Sequence, residues 1–190
     1  MVEKLRSNWK RMLKWVGIAL IYAVPIFVAQ SALFIKFDGV DGEANDKDHK
    51  GWSDLLSFSH GMSRPSSGAA GTARGRGAVV MEDITVAKLL DKASPKLAEA
   101  LCRGKVFPKV EIHVTSTYAD GGRLTYLIYE LKNVLVSSLR PASAGNSEQR
   151  PTEELKLNFE QVKQTYVEYD SKGLKKGNVE FSWKVEEGTK

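Results

Sequence analysis

From Leu33 onward the chain alternates apolar and polar residues in run after run, with turn-forming residues between the runs. Val110, Ile112 and Val114 alternate with Glu111, His113 and Thr115, and Leu33, Ile35 and Phe37 do the same at the start. A period of two places successive side chains on opposite faces of a strand. A chain written this way has one sheet face to bury, and the turn signals between runs favour antiparallel neighbours. The expectation is an antiparallel sandwich or barrel.

Seven or so strands follow from this pattern. Leu33–Asp38 is the first, and Gly39 and Gly42 mark turns after it. A polar loop, residues 43–50, leads back to a strand at Gly51-Trp52. There Leu56, Phe58, His60 and Met62 are placed on one face. His60 is therefore expected on the apolar side, as a core or interface histidine with its nitrogens satisfied. Ser63–Gly77 is small, polar and Gly-rich and reads as a long mobile loop. Ala78–Ala87 is β-rich. Ser94 is the expected N-cap of the one soluble helix, with Pro95 at its first position and Gly104 at its left-handed end. Leu97, Leu101, Ala98, Ala100 and Cys102 form its expected packing face.

The later strands continue the theme. His113 falls on the polar face of its strand and is expected to be exposed. Asp120-Gly121-Gly122 is a hairpin turn. Arg123–Leu139 is a long strand whose apolar phase shifts near Asn133-Val134, so it must bend or bulge. Pro141–Pro151 is a second polar loop. Thr152–Tyr169 changes phase from Leu155, Leu157 and Phe159 to Val162, Gln164 and Tyr166. Asn178–Glu186 ends the chain with Val179, Phe181, Trp183 and Val185 expected inward.

Residues 1–31 are of another kind. Lys4, Arg6, Lys10, Arg11 and Lys14 precede the apolar run Trp15–Ala29. That run suits the apolar region of an export signal better than a full bilayer span. Ala29 and Ser31 supply small residues for a cut between Ser31 and Ala32. The expected division is a signal peptide or N-terminal membrane anchor over 1–31 and a β domain over 32–190. If cleaved, the protein is exported to the periplasm or beyond. If uncleaved, it is anchored in the inner membrane through 1–31, its only membrane contact, or held in the cytoplasm before secretion.

The formal net charge is +5, but the N-terminus holds most of it: five cations stand against Glu3 in residues 1–31. The remainder is nearly neutral and has no basic stripe for phosphates, so nucleic acid is not an expected partner. One cysteine, Cys102, excludes an intramolecular disulfide, and it is expected to be a small buried residue on the helix.

The chemistry of an enzyme is missing from the pattern. Asp38, Asp41, Glu43, Asp46 and Asp48 cluster in one loop, but their order differs from a calcium loop, and Lys47, His49 and Lys50 intrude. The glycines of 63–77 precede no helix and form no phosphate-binding loop. No H-E-x-x-H, G-x-S-x-G or C-x-x-C occurs. No metal or cofactor is expected.

Six stretches together resemble one family. FIKFDGVDGEANDKDHKGW and DLLSFSHGMS come first, then DITVAKLLDKASPKLAEALCRGKVFPKVEI and LTYLIYELKNVLVSSL, then ELKLNFEQVKQTYVEY and finally FSWKV. In order and spacing they resemble the haemolysin-coregulated protein family, Hcp, the tube protein of bacterial type VI secretion. The likeness runs from about Leu33 to Val185. It implies a two-sheet antiparallel β-barrel with one α-helix on its side, here preceded by a signal or anchor helix. It also implies hexameric rings that stack into a tube, with partners in the tip and sheath proteins and in carried effectors, and no enzymatic activity. The loops Gly39–Gly51 and Ser63–Gly77 are the expected contacts between subunits or rings, with Asp41, Glu43, Asp46, Lys47, Asp48, Arg74 and Arg76 as their candidate residues. Two features depart from the family. Residues 1–31 precede the usual start, which leaves open an exported carrier module outside any contractile tube. His60 stands where an aromatic residue is common.

Overall fold

The computed structural model describes residues 31–65, 78–117, 122–145 and 150–185. They form ten strands and one helix: β1 Ala32–Phe37, β2 Ser53–Ser59, β3 Met62–Ser63, β4 Val80–Met81, β5 Ile84–Leu89, α1 Ser94–Arg103, β6 Val106–Thr117, β7 Arg123–Ala142, β8 Thr152–Asn158, β9 Gln161–Tyr169 and β10 Lys175–Lys184. Every pairing is antiparallel. Six strands close a barrel in the order β7-β6-β1-β2-β5-β8, because β8 returns to pair with β7. Closure removes the exposed edges that an open sheet of these strands would carry. β3 and β4 form a separate short ribbon.

The phase changes expected in the last strands have a single structural origin. β7 pairs with β9 over Leu127–Lys132 and with β8 over Leu135–Ala142. β8 and β9 thus share one long neighbour and part at Phe159-Glu160. β8 turns to close the barrel on β5, and β9 turns away to pair with β10. At the same level of β7, Asn133 takes a left-handed φ of 51°. Asn tolerates that region better than a β-branched residue would. Its amide Nδ2 donates to Glu160 Oε2, which ties the bend to the parting of the two strands.

The core is what the alternation implies: Ile35, Phe37, Ile84, Val86, Phe107, Val110, Ile112, Leu131, Leu155 and Leu157 are buried together. Leu97 and Ala100 of α1 join it, and Leu101 packs against it from the next turn. Gly104 takes φ 61° and donates to the carbonyl of Leu101, the expected left-handed stop. Other details depart from expectation. Cys102 lies on the exposed side of α1, because its helical position is opposite Leu97 and Ala100. Ser94 is not the cap: the N-cap is Ala93, and no side chain caps it. Ser94 is instead buried in a polar cluster described below. On β2 a register shift between Leu55 and Ser57 moves Leu56 outward and Phe58 inward. On β9, Val162, Thr165 and Val167 are buried, whereas Tyr166 is exposed. Val179 and Phe181 are not inward either: they are 72% and 38% exposed, because β10 lies outside the closed barrel. Only Trp183 and Val185 pack against the core.

His60 sits among aromatic rings, edge-on to Tyr129 and Phe159, as its apolar phase implied. Its nitrogens are not satisfied: Nδ1 and Nε2 are both buried and lack a hydrogen-bond partner. Burial pushes its pKa down, against the opposing charge of Glu82. A buried polar atom without a partner costs about 1–3 kcal/mol. Replacing His60 with Phe is therefore expected to stabilise the domain by about 1–2 kcal/mol, read as a higher urea midpoint with unchanged slope. A lower midpoint would mean that the ring makes a contact Phe cannot.

Candidate functional site

Two surfaces carry the candidate contacts. The first is the loop between β1 and β2, which folds back over the outer wall of the barrel. Phe34, the residue of β1 that points away from the core, is 1% exposed because the loop covers it. The imidazole of His49 stacks on its ring at 4.2 Å between centroids, 6° from parallel. His49 in turn meets Trp52 edge-on and bonds His113 of β6, Nε2 to Nδ1, at 2.9 Å. His113 is accordingly half-buried under the loop and against Trp52, not exposed as its phase suggested. Burial, with a further push from His49, lowers its pKa to about 4.

Asp46 is the polar centre of this loop. Its Oδ1 is 2.7 Å from His49 Nδ1 and accepts from the Asp48 amide at 3.1 Å, and its Oδ2 accepts from Arg123 Nη1 of β7 at 2.8 Å. Burial raises its carboxyl, but the His49 bond, the Asp48 amide and the charges of His49 and Arg123 outweigh that. The net pKa lies below the usual carboxylate value. Asp41 is exposed and held low by the bond and charge of Lys36, 2.5 Å away. Glu43 accepts from the Lys92 amide and from Arg150 Nη1 at 3.0 Å, which ties the loop to the approaches of α1 and β8. Of the candidate residues, Asp41, Glu43 and Asp46 are thus engaged in holding the loop. Lys47 and Asp48 occupy its exposed tip, and their side chains have no partner among the described residues. Arg74 and Arg76 lie outside the described residues.

The second surface lies outside the barrel, where the alternation of Val179 and Phe181 implies an interior position. β10 pairs with β9 along one edge only, and its other edge meets no strand among the described residues. Val179 sits opposite Tyr166 and Phe181 opposite Gln164 in the β9–β10 register. Tyr166 is 51% exposed, so apolar groups line up on a sheet flap that the barrel does not cover. Single exposed apolar residues are ordinary, but a row of them beside an open strand edge marks a place where another chain can pair.

Neither surface brings a nucleophile together with a base among the described residues. Among the described residues no group of three His, Cys, Asp or Glu side chains is placed to hold a metal. The closed barrel, the side helix and the open-edged flap define a mainly β protein of six-stranded barrel architecture. The chain belongs to the Hcp family: the family model for "Type VI secretion system effector, Hcp" matches residues 34–166. It is similar to Protein hcp1 of Pseudomonas aeruginosa, 35% identical over 154 residues, which cover 80% of this chain and 94% of that protein. A solved structure of a type six secretion system protein superposes with a TM-score of 0.76 at 30% identity, over 84% of this chain and 98% of the other. Hcp1 from Salmonella typhimurium superposes with a TM-score of 0.65 at 25% identity, over 85% and 98%. The family's members are structural tube proteins of type VI secretion, and this chain is a tube subunit of that kind. Among the described residues no helix is long and apolar enough to cross a membrane.

Proposed function

We propose that copies of this chain assemble into hexameric rings that stack into a tube, engage tip and sheath proteins, and carry effectors. The observation that carries the ring is the β9–β10 flap, whose open edge and exposed Val179, Phe181 and Tyr166 suit strand and side-chain contact with a neighbouring subunit. The loop tip at Lys47 and Asp48 and the residues Arg74 and Arg76 are the proposed contacts between rings. Light scattering after size exclusion tests the assembly. Wild-type chain should run as a ring, and Val179→Asp with Phe181→Asp should weaken association at least about tenfold by burying charge in an apolar interface. A wild-type monomer at high protein concentration refutes the ring.

Residues 1–31 support a second role, an exported Hcp-like carrier working outside a contractile tube. The proposed cut lies between Ser31 and Ala32. Ala32 is already within β1, paired with Thr115, and its carbonyl accepts from Thr115 Oγ1 at 3.0 Å. A peptidase needs that segment extended and free, so cleavage must precede closure of the barrel. N-terminal sequencing of the native protein decides: a start at Ala32 supports export, and an intact Met1 supports anchoring or cytoplasmic assembly.

A further inference from the structure

The bond between His49 and His113 restricts where protons can sit. Two neutral imidazoles share an N···N contact of 2.9 Å only when one nitrogen carries the proton and the other offers a lone pair. The order is set from the Asp46 end. An ionised carboxylate only accepts, so His49 Nδ1 must be the donor across the 2.7 Å contact. Neutral His49 then has its lone pair at Nε2, and His113 must donate from Nδ1. Neutral His113 is left with a lone pair at Nε2. That nitrogen has no partner among the described residues and is not sealed from solvent, as the nitrogens of His60 are.

One added proton reverses this order without moving a heavy atom. It arrives at His113 Nε2, and the proton on His113 Nδ1 crosses the shared bond to His49 Nε2. His49 is then an imidazolium that donates to Asp46 on one side and to His113 on the other. His113 remains neutral, with its hydrogen now on Nε2. Charge enters a ring that is 3% exposed while the loop stays closed. We infer that Asp46, His49 and His113 form a proton relay that converts the barrel surface at His113 Nε2 from a hydrogen-bond acceptor to a donor when one proton is taken up. A group docking there would be a donor before uptake, such as an ammonium or backbone N–H, and a carboxylate or carbonyl afterwards.

The surroundings suit a single added charge. Asp46 faces His49 together with Arg123 of β7, so that carboxylate and guanidinium balance. Phe34 of β1 and Trp52 enclose the ring without adding charge. Along β6, Glu111 favours a proton on His113 and Lys109 opposes it, and the two side chains bond each other at 2.8 Å. A second proton would set two N–H groups against each other, which the contact cannot hold. The low pKa of His113 is consistent with that resistance.

Two-bond ¹H–¹⁵N correlation spectra of the histidine rings in the full-length protein, followed from pH 8 to 4, test the relay. At pH 8 His113 should be the Nδ1–H tautomer. On uptake of the first proton, His49 should show both nitrogens protonated while His113 becomes the Nε2–H tautomer. Finding His113 as Nε2–H at pH 8, or the two rings titrating independently, overturns the inference. In His49→Gln, His113 should keep its Nδ1 proton and titrate to a simple imidazolium; a preserved tautomer exchange overturns it. Should that variant not fold, Asp46→Asn keeps the acceptor and removes the charge. The first uptake should then move down by about one pH unit or more, and an unmoved midpoint again refutes the relay.

Discussion

Replacing Lys88 with methionine is expected to destabilise the domain by roughly 3–5 kcal/mol. Lys88 is 0% exposed, on the same face of β5 as Ile84 and Val86. Its ammonium lies 2.8 Å from Asp91 Oδ1 and 2.8 Å from Glu153 Oε1, and it donates to the Leu89 carbonyl at 2.9 Å. Glu153 is 2% exposed and also accepts from Ser94 Oγ. Asp91 accepts from Ser53 Oγ at 2.6 Å and from the Ala93 amide. Burial raises the Asp91 carboxyl, but the bonds from Lys88 and Ser53 and the charge of Lys88 bring its pKa below the usual value. Methionine fits the volume and removes the ammonium that both carboxylates share, leaving Asp91 and Glu153 without their cation in a site where Lys88 and Glu153 are buried. The two effects, burial of a carboxylate without its cation and repulsion between two carboxylates that shared one ammonium, have the same sign. Urea denaturation at pH 7 reads the loss, and a change below about 1 kcal/mol, well under the buried-pair range, would refute the network's role. Adding Asp91→Asn and Glu153→Gln to Lys88→Met should recover part of it, since neutral amides no longer repel.

That network explains both what the sequence reveals and what it conceals. The barrel is legible because inward positions repeat every second residue and are apolar: Ile35 and Phe37, Val110 and Ile112, Leu155 and Leu157. Lys88 and Glu153 occupy inward positions in that same rhythm, and alternation alone gives no reason for a charge there. The partner needed to bury Lys88 comes from β8, more than sixty residues away. Ser94 was legible as a polar residue at a helix start, but its hydroxyl serves Glu153 rather than the helix amides.

The candidate contacts show the same limit from the outside. His113 follows a polar phase correctly, yet the loop from β1 to β2 covers it, and loop placement is not written in strand periodicity. Val179 and Phe181 follow an apolar phase correctly, yet their strand lies beyond the closed barrel. An apolar alternation requires some surface to cover it, and it does not say whether that surface belongs to the same chain. The acidic loop divides likewise. Asp46 turns inward to His49 and Arg123, whereas Lys47 and Asp48 stay at the tip, although all three are adjacent and polar.

Acidification gives the second large effect. Between pH 6.5 and pH 4 the domain is expected to lose roughly 2 kcal/mol of stability through His113, less than the full shift implies because solvent screens a ring that is only partly buried. The ordinary imidazole value is 6.5, and in the folded chain burial and His49 lower that of His113 to about 4. The unfolded chain therefore binds more protons than the folded one across that window, so stability rises with pH there and falls as acid is added. Above pH 6.5 neither state is protonated at this ring and the contribution is flat. Below pH 4 both are, and it is flat again. His60, also held low by burial, acts in the same direction. Asp41, Asp46 and Asp91 are held below the ordinary 3.8, so their stabilisation is lost only at lower pH, as each is protonated. His113→Gln keeps a side chain able to bond His49 Nε2 and removes the titration. Urea midpoints taken every half unit from pH 7 to 4 should thus slope steeply for wild type and much less for His113→Gln. Equal slopes would place the acid sensitivity elsewhere and detach His113 from the packing of the β1–β2 loop.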